Sequence, residues 1–252
     1  MVRVRRTAVV GLALATCLAA GGGAGAWWVS RAQQPETTPP AVSRVPTARR
    51  MVGLTFDDGP DPVWTPTVLG VLDRYGARAT FFVVGDNARA HPELVREELN
   101  SGDEVGNHTL HHPDLLHLGA AGVTSELDGG RQALIASGAP PPSLFRPPYG
   151  LSDPTVAAAV AARRYRTVFW TLSVERYVNH QLGVAGGVRA LLQHVRSGDI
   201  ILAHDGGVPN RSRTMAALPL LLEGLRARGF RVVDVSTLMA APRPGRPVAL
   251  RS

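Results

Sequence analysis

The chain runs to 252 residues with 44% hydrophobic and 19% charged side chains, enough for one large domain or two small ones and too apolar for bulk disorder. Its formal net charge of +7 sits in the tails: residues 1–50 carry seven arginines against one glutamate, residues 241–252 three arginines and no acid, and residues 51–240 17 arginines against 19 acids. A slightly acidic body excludes nucleic acid as its partner, since phosphate binding needs a basic face on the fold.

In order, the chain opens on MVRVRR, followed by an uncharged stretch from Thr7 to Val29. A positive start and an apolar run predict export, with Ala24-Gly25-Ala26 as a small-residue cleavage site. At about 20 residues the run is also long enough to cross a bilayer uncut, and arginine on its first side places the body outside the cytoplasm. Over residues 1–30 a cleaved signal and a retained anchor, with Trp27 and Trp28 in the interfacial belt, therefore stand as alternatives. Cys17, the only cysteine, lies inside this run, so the exported body has neither a disulfide nor a thiolate. Residues 31–50, rich in Pro, Thr and Arg without periodicity, predict a linker. Basic tails suit an anionic membrane or cell wall.

Seven short apolar, β-rich runs follow, at 51–56, 79–84, 103–108, 143–147, 166–172, 199–204 and 230–235. Between them lie segments apolar at helical spacing and closed by glycine, such as PELVREELNSG at 92–102 and TMAALPLLLEGLRARG at 214–229. Strand alternating with helix predicts parallel strands joined by crossovers, and runs this apolar suit strands covered on both faces. Seven such units predict an α/β fold, an incomplete barrel rather than a doubly wound sheet, and no dinucleotide fingerprint follows the first run. On this reading residues 51–240 form one domain and residues 241–252 a basic tail.

Parallel barrels place their chemistry where strands end. The exits here carry Asp57 and Asp58, then His108, Arg146, and His204 with Asp205. In NHTLHH, His108 and His112 are four apart and share a face on a helical turn, so they can clasp one ion while His111 points elsewhere. An aspartate from another exit completes two nitrogens and one oxygen. That set leaves the open position of a catalytic zinc site, where the pKa of water falls from about 15.7 toward about 7. Only one of Asp57 and Asp58 is needed as a ligand. Neighbouring side chains leave a strand on opposite sides, so the other stands near the water to take its proton. Arg146, ahead of two prolines, suits bidentate orientation of a carboxylate, and His204 suits proton donation to a leaving group.

TFDDGP, H-T-x-x-H, R-P-P-Y and L-x-H, in this order over about residues 50–240, resemble the NodB-like polysaccharide deacetylases, which are metal-dependent carbohydrate esterases. The resemblance implies a distorted (β/α)7 barrel that removes N- or O-acetyl groups from glycans such as peptidoglycan or chitin. It implies Asp57 as catalytic base and Asp58, His108 and His112 as metal ligands. Arg146 would orient the base, the Tyr149 amide would face the oxyanion, Leu202 would shape the acetyl-methyl pocket, and His204 would be the general acid. The implied metal is Zn2+, with another divalent ion such as Co2+ compatible with the same donors.

One motif departs. The family's D-x-x-D-W after the fifth strand reads TLSVERYVNH here, with Ser173 and Arg176 at the aspartates and Tyr177 at the tryptophan. Glu175, by a shifted register, and Asp205 are the carboxylates left to tune His204, and Tyr177 is the candidate to stack on a sugar. The expected activity is N-deacetylation of N-acetylglucosamine-type residues in an extracellular glycan, by a monomer that is free or held at the outer face of the cytoplasmic membrane. The alternatives are an O-acetyl esterase using the same site and a weakly active or inactive wall-binding relative.

Overall fold

The computed structural model describes residues 41–179, 181–208 and 210–243; the apolar leader with Cys17, Trp27 and Trp28, the first half of the expected linker and the end of the basic tail lie outside them. Among the described residues no helix is long and apolar enough to cross a membrane.

A run as apolar as MVGLTFD must be covered on both faces, and every residue of this first strand, β1 (Met51–Asp57), is buried. Helices and strands then alternate: α1 (Trp64–Tyr75), β2 (Thr80–Val83), α2 (Gly85–Ala90), α3 (Pro92–Asn100), β3 (Glu104–Asn107), α4 (Ala120–Ala136), β4 (Leu144–Phe145), α5 (Pro154–Ala162) and β5 (Arg166–Thr167). The second half holds β6 (Leu172–Ser173), α6 (Val174–Val178), α7 (Gly183–His194), β7 (Ile200–His204), α8 (Ser212–Ala227), β8 (Arg231–Val233) and α9 (Val235–Met239). Local chemistry sets the boundaries. α1 stops at Gly76, whose φ of 59° is left-handed, and prolines open α3 and α5. Asp153 caps α5 by accepting the Val156 N–H at 2.8 Å.

All pairings between these strands are parallel, in the order β5-β4-β3-β2-β1-β7-β6. Gly53 pairs with Ile200 on one edge and Val233 on the other, so β8 fills the lower part of the edge whose upper part holds β2. The result is the curled, incomplete (β/α)7 barrel expected from the alternation of runs. The expected run at 166–172 is not one strand. Arg166–Thr167 pairs with β4 and Leu172–Ser173 with β7, at opposite ends of the sheet, and one straight strand cannot bond to both. The intervening residues cross that gap.

The expected linker is also ordered from residue 41. Val42 bridges to Val168, donating to the Thr167 carbonyl at 2.9 Å and accepting from the Phe169 N–H at 2.7 Å. Val45 is buried, and Arg44 pairs with the buried Asp199 at 2.5 Å. Two apolar residues and one arginine thus tie a Pro-rich stretch to the gap in the barrel.

Strand alternation sorts side chains into two compartments. Val52, Leu54 and Phe56 of β1, Phe81 and Val83 of β2, and Ile201 and Ala203 of β7 face the helices in the main core. Met51, Phe82, Leu144, Ile200 and Val233 plug the barrel interior. Asp57 follows Met51 and Thr55 on the interior face of β1, and His204 follows Ile200 and Leu202 on that of β7. Both therefore stand at the rim where the parallel strands end.

Candidate active site

Asp57 is 3% exposed and its carboxylate is met by Arg146, which donates from Nη1 to Asp57 Oδ1 at 2.6 Å. Arg146 itself has no exposed surface. It also donates to Thr55 Oγ1 at 2.9 Å and to the Val168 and Phe169 carbonyls at 3.0 and 3.3 Å, and lies 4.2 Å from the Phe82 ring centroid. Burial pulls the Arg146 pKa below its ordinary value, and the Asp57 charge resists that pull. The expected two-pronged grip is a single bond, because the rest of the guanidinium is spent on the backbone of the crossing segment.

Asp58 does not leave the strand on the side opposite Asp57. Its φ of 73° turns the chain into the left-handed region, which swings its carboxylate back toward the same site. The surroundings enforce this. Asn87 Nδ2 donates to the Asp58 carbonyl at 2.8 Å, Arg211 Nη2 reaches Asp58 Oδ2 at 3.4 Å, and a side chain at Gly207 (φ 79°) would collide with the carboxylate. Arg211 Nε also donates to the Gly206 carbonyl at 2.7 Å, which ties the β7 exit to Asp58.

His108 and His112 come together, but not on a helical turn. Thr109 has φ 72° and His112 φ 58°, so the segment is an irregular loop, and it still brings the two rings to 4.9 Å between centroids. Its supports are side chains. Asn107 Oδ1 accepts the Thr109 N–H at 2.9 Å and Thr109 Oγ1 accepts the His112 N–H at 3.0 Å. From α4, Glu126 Oε2 accepts the N–H groups of Leu110 and His111 at 3.1 and 2.9 Å, while Glu126 Oε1 meets His111 Nδ1 at 2.7 Å. His111 does point elsewhere, outward and onto Glu126.

The donor set suits a cation. The Arg146 carbonyl oxygen, 2.7 Å from His108 Nδ1, can only accept, so Nδ1 carries the proton and Nε2 presents a lone pair. That lone pair faces Asp58 Oδ1 at 3.5 Å, and His112 Nε2 lies 3.2 Å from the same oxygen. One donor atom from each of the three residues lies within 4.8 Å of the others. Burial would raise the Asp58 carboxyl, but His108, through its hydrogen bond and charge, with His204 and His112, holds it at about 2. Burial and the neighbouring His108 charge lower His112. A carboxylate beside two imidazoles is the donor set that suits a divalent ion. Asp57 Oδ2 stands 3.8 Å from His108 Nε2, beside this cluster.

At the neighbouring exit of β7, where His204 is the register partner of Asp57, the carboxylate beside His204 is Glu175 on α6. Glu175 Oε1 accepts the His204 N–H at 3.1 Å and the Thr214 hydroxyl at 2.9 Å, and Ser173 Oγ donates to Oε2 at 3.3 Å. His204 Nδ1 lies 3.3 Å from Glu175 Oε2, an ion-pair distance whose alignment falls short of a hydrogen bond. Burial disfavours a charged His204, but Glu175, followed by Asp57 and Asp58, raises its pKa overall. Burial would likewise raise Glu175, and His204 lowers it. Asp205, the other candidate, faces away: it is fully buried and accepts from Thr65 Oγ1 at 2.5 Å.

Tyr149, with φ 59°, is 64% exposed and sets its ring edge-on to His112 at 4.8 Å. Leu202 is buried directly below His204 on the interior face of β7. Tyr177 is not a wall of this site. Its ring packs against His194 of α7 at 5.8 Å and onto the main core, because α6 turns that position away from the rim. Besides Tyr149, an aromatic beside the site is Trp170, 5.4 Å from the Arg146 guanidinium and against Gly150. Arg211 and Glu126 carry no motif, and Trp170 is visible in sequence only as an aromatic within an apolar run.

The class this arrangement defines is a hydrolase in which Asp58, His108 and His112 could hold a cation at the mouth of a parallel barrel. The sequence profile of the family described as polysaccharide deacetylase matches residues 44–168. A peptidoglycan-N-acetylglucosamine deacetylase of Bacillus cereus is 37% identical over 195 residues, spanning 77% of this chain and 91% of that protein. A chitooligosaccharide deacetylase of Sinorhizobium fredii is 38% identical over 75% of this chain and 92% of its own length. In solved structures, a family 4 carbohydrate esterase from Streptomyces lividans in complex with acetate superposes with a TM-score of 0.68 at 33% identity, over 77% of this chain and 98% of the esterase. The chain belongs to the polysaccharide deacetylase family.

Proposed function

We propose that this protein removes N-acetyl groups from N-acetylglucosamine-type residues of an extracellular glycan, peptidoglycan or a chitin-like polymer, outside the cytoplasmic membrane. The observation that carries the reading is the placement of two separately held carboxylates around one imidazole pair. Arg146 holds Asp57 beside the Asp58, His108 and His112 cluster, and Glu175 holds His204 on the adjacent strand, where it is the register partner of Asp57.

Asp58, His108 and His112 would hold the divalent ion, for which zinc suits two imidazoles and a carboxylate. When bound, that ion supplies Lewis-acid polarisation of the acetyl carbonyl. Asp57, ionised beside Arg146, takes a proton from the attacking water as the new C–O bond forms. The Tyr149 N–H, at the left-handed turn after Arg146, faces the developing oxyanion, and Leu202 limits the acyl pocket to a methyl group. His204 gives its proton to the nitrogen as the C–N bond breaks and the electron pair leaves with the amine. Acetate and a free amino sugar result. An amide needs this protonation more than an ester does, since an amine anion is a far poorer leaving group than an alkoxide. Glu175 supplies the carboxylate that the sequence motif lacks, and so favours the amide over the O-acetyl ester. The same paired base and acid argue against a wall-binding protein without catalysis, which has no use for either. Export by the N-terminal leader would put the site among its substrates, and a monomer contains every residue invoked.

The test is acetate release by the full chain, with and without added zinc, from N-acetylglucosamine oligomers, peptidoglycan and an O-acetylated xylan. Zinc-dependent release from the N-acetylated substrates is expected. Release from the xylan alone would replace this reading with the esterase one, and no release from any of them would favour a binding role.

A further inference from the structure

At the end of the barrel opposite the site, where the strands begin, a cavity of about 260 Å³ is lined by Tyr75, Arg78, Arg226, Phe230 and Arg231, among others, and no acidic side chain is part of its lining. Arg231 opens β8 and its N–H donates to the Arg50 carbonyl at 2.9 Å, while the Arg78 N–H donates to the Val232 carbonyl at 3.4 Å. Arg50 and Arg228 both stack on the Phe230 ring, 5.2 and 5.4 Å from its centroid. Three arginines therefore line one concave, partly aromatic surface, with Arg50 at its edge on the Phe230 ring, while the Arg228 guanidinium is held by the Leu192 and Val195 carbonyls.

The Arg78 charge acts on Asp103, but the other cavity arginines, Arg226 and Arg231, like Arg49 and Arg50 before β1, are exposed and have no ion-pair partner among the described residues. The acids at this end bond elsewhere: Asp199 to Arg44, the half-buried Glu104 to Thr80 and Ser236, Asp234 to the Thr237 N–H, and Asp103 through Oδ1 to the Ala79 N–H. Asp73 on α1 is exposed, and Glu223 on α8 lines the neighbouring surface with Tyr75 and Arg226, but among the described residues neither forms an ion pair with these arginines. Like charges held together over low-dielectric walls attract an anion, and planar guanidinium forks match phosphate oxygens.

The last described residues lie beside this face and residues 47–50 lead from it into β1, whereas residues 41 and 42 run along the gap beside Val168. Thr47 Oγ1 donates to the Pro242 carbonyl at 3.4 Å. Beyond the described residues lie the uncharged stretch 7–29 on one side and Arg246 and Arg251 on the other. We infer that this arginine-lined face binds phosphate groups, and that their source is the headgroups of an anionic phospholipid surface. The face then docks on the membrane while the site at the other end of the strands opens toward the wall. The inference rests on the export reading above only for the choice of lipid as the source.

Amide hydrogen exchange tests it, using the full chain in nanodiscs of phosphatidylcholine alone or with about one third phosphatidylglycerol. The leader is common to both preparations, so any difference reads the face. Slower exchange over residues 75–78 and 226–232 is expected only with phosphatidylglycerol, with loss of that protection at about 1 M salt, where the Debye length is about 3 Å. Each arginine near such a surface contributes about fivefold in affinity, so Arg226→Gln/Arg231→Gln should abolish the protection. An unchanged Tm would show that this variant is folded, independently of any deacetylase activity. Equal exchange in both discs would overturn the inference. Protection by a soluble poly(glycerol phosphate), with none from the discs, would keep the phosphate chemistry and overturn the membrane as its source.

Discussion

Asp57 carries a negative charge at a buried position, and what makes that tolerable is a second buried charge. Arg146 has no exposed surface and gives every nitrogen to a named oxygen, so the pair is held in one geometry before any substrate arrives. His204 has the complementary arrangement, with Glu175 of α6 and, less closely, Asp57 and Asp58 of the β1 exit raising its pKa. A general acid works only while protonated, so activity should fall as pH rises through the pKa of His204. Glu175→Gln removes the largest charge raising that pKa, and the alkaline limb of kcat/KM should therefore move to lower pH. An alkaline limb that stays in place, with only the maximum rate reduced, would show that Glu175 supports the structure and does not tune the histidine.

At the scale of elements, the site depends on loops that regular secondary structure cannot supply. The stretch from Asn107 to His112 is shaped by two positive φ values and by Glu126, which reaches across from α4 to two successive N–H groups. Glu126→Ala should free that loop and weaken zinc affinity about 10–100-fold, as losses behind metal ligands do. Glu126→Gln keeps an oxygen able to accept both N–H groups and should restore most of the affinity, read by competition with a chelator. Unchanged affinity in the alanine variant would contradict the clamp.

These particulars mark what was legible in the sequence. Asp57, Asp58, His108, Arg146 and His204 stand out because each is polar at the end of an apolar run, where a buried strand has no use for it. Glu126 is not legible: an acid on an amphipathic helix reads as a solvated face, and its partners lie 15 and 16 residues away. The orientation of Tyr177 is not legible either, because spacing along a chain does not reveal which way a five-residue helix turns. The run at 166–172 reads as one strand because its composition gives no sign that its ends bond to opposite ends of the sheet.

Over the whole molecule, parallel strands sort the charge. Ionised carboxylates gather at the strand exits, and unpaired arginines at the strand starts. Both ends also hold carboxyls that burial makes only weakly acidic: Asp205 after β7, raised from 3.8 to about 7, and Glu98, Asp103 and Glu104 toward the strand starts, also raised. An acid whose folded pKa is raised contributes stability that is fully present below its unfolded value and is lost as pH rises through the folded one. Asp205→Asn removes one such group. The Tm of the variant, relative to the unsubstituted protein at each pH, should therefore climb as pH rises from 3.8 to about 7. Taking the difference isolates Asp205 from the other buried acids and from His112, whose lowered pKa acts in the opposite sense. A flat difference across that interval would mean that Asp205 is ionised in the fold.

The central claim is a division of labour between two neighbouring carboxylates, and one side-by-side measurement addresses it: bound zinc and acetate release in Asp57→Asn and His108→Ala. Asp57→Asn should keep its zinc and lose roughly 10²–10⁴-fold in rate, the contribution of a general base. His108→Ala should lose the zinc together with the activity. Equal loss of zinc in both variants would contradict the account, since Asp57 would then be a ligand and the base would have to be sought elsewhere.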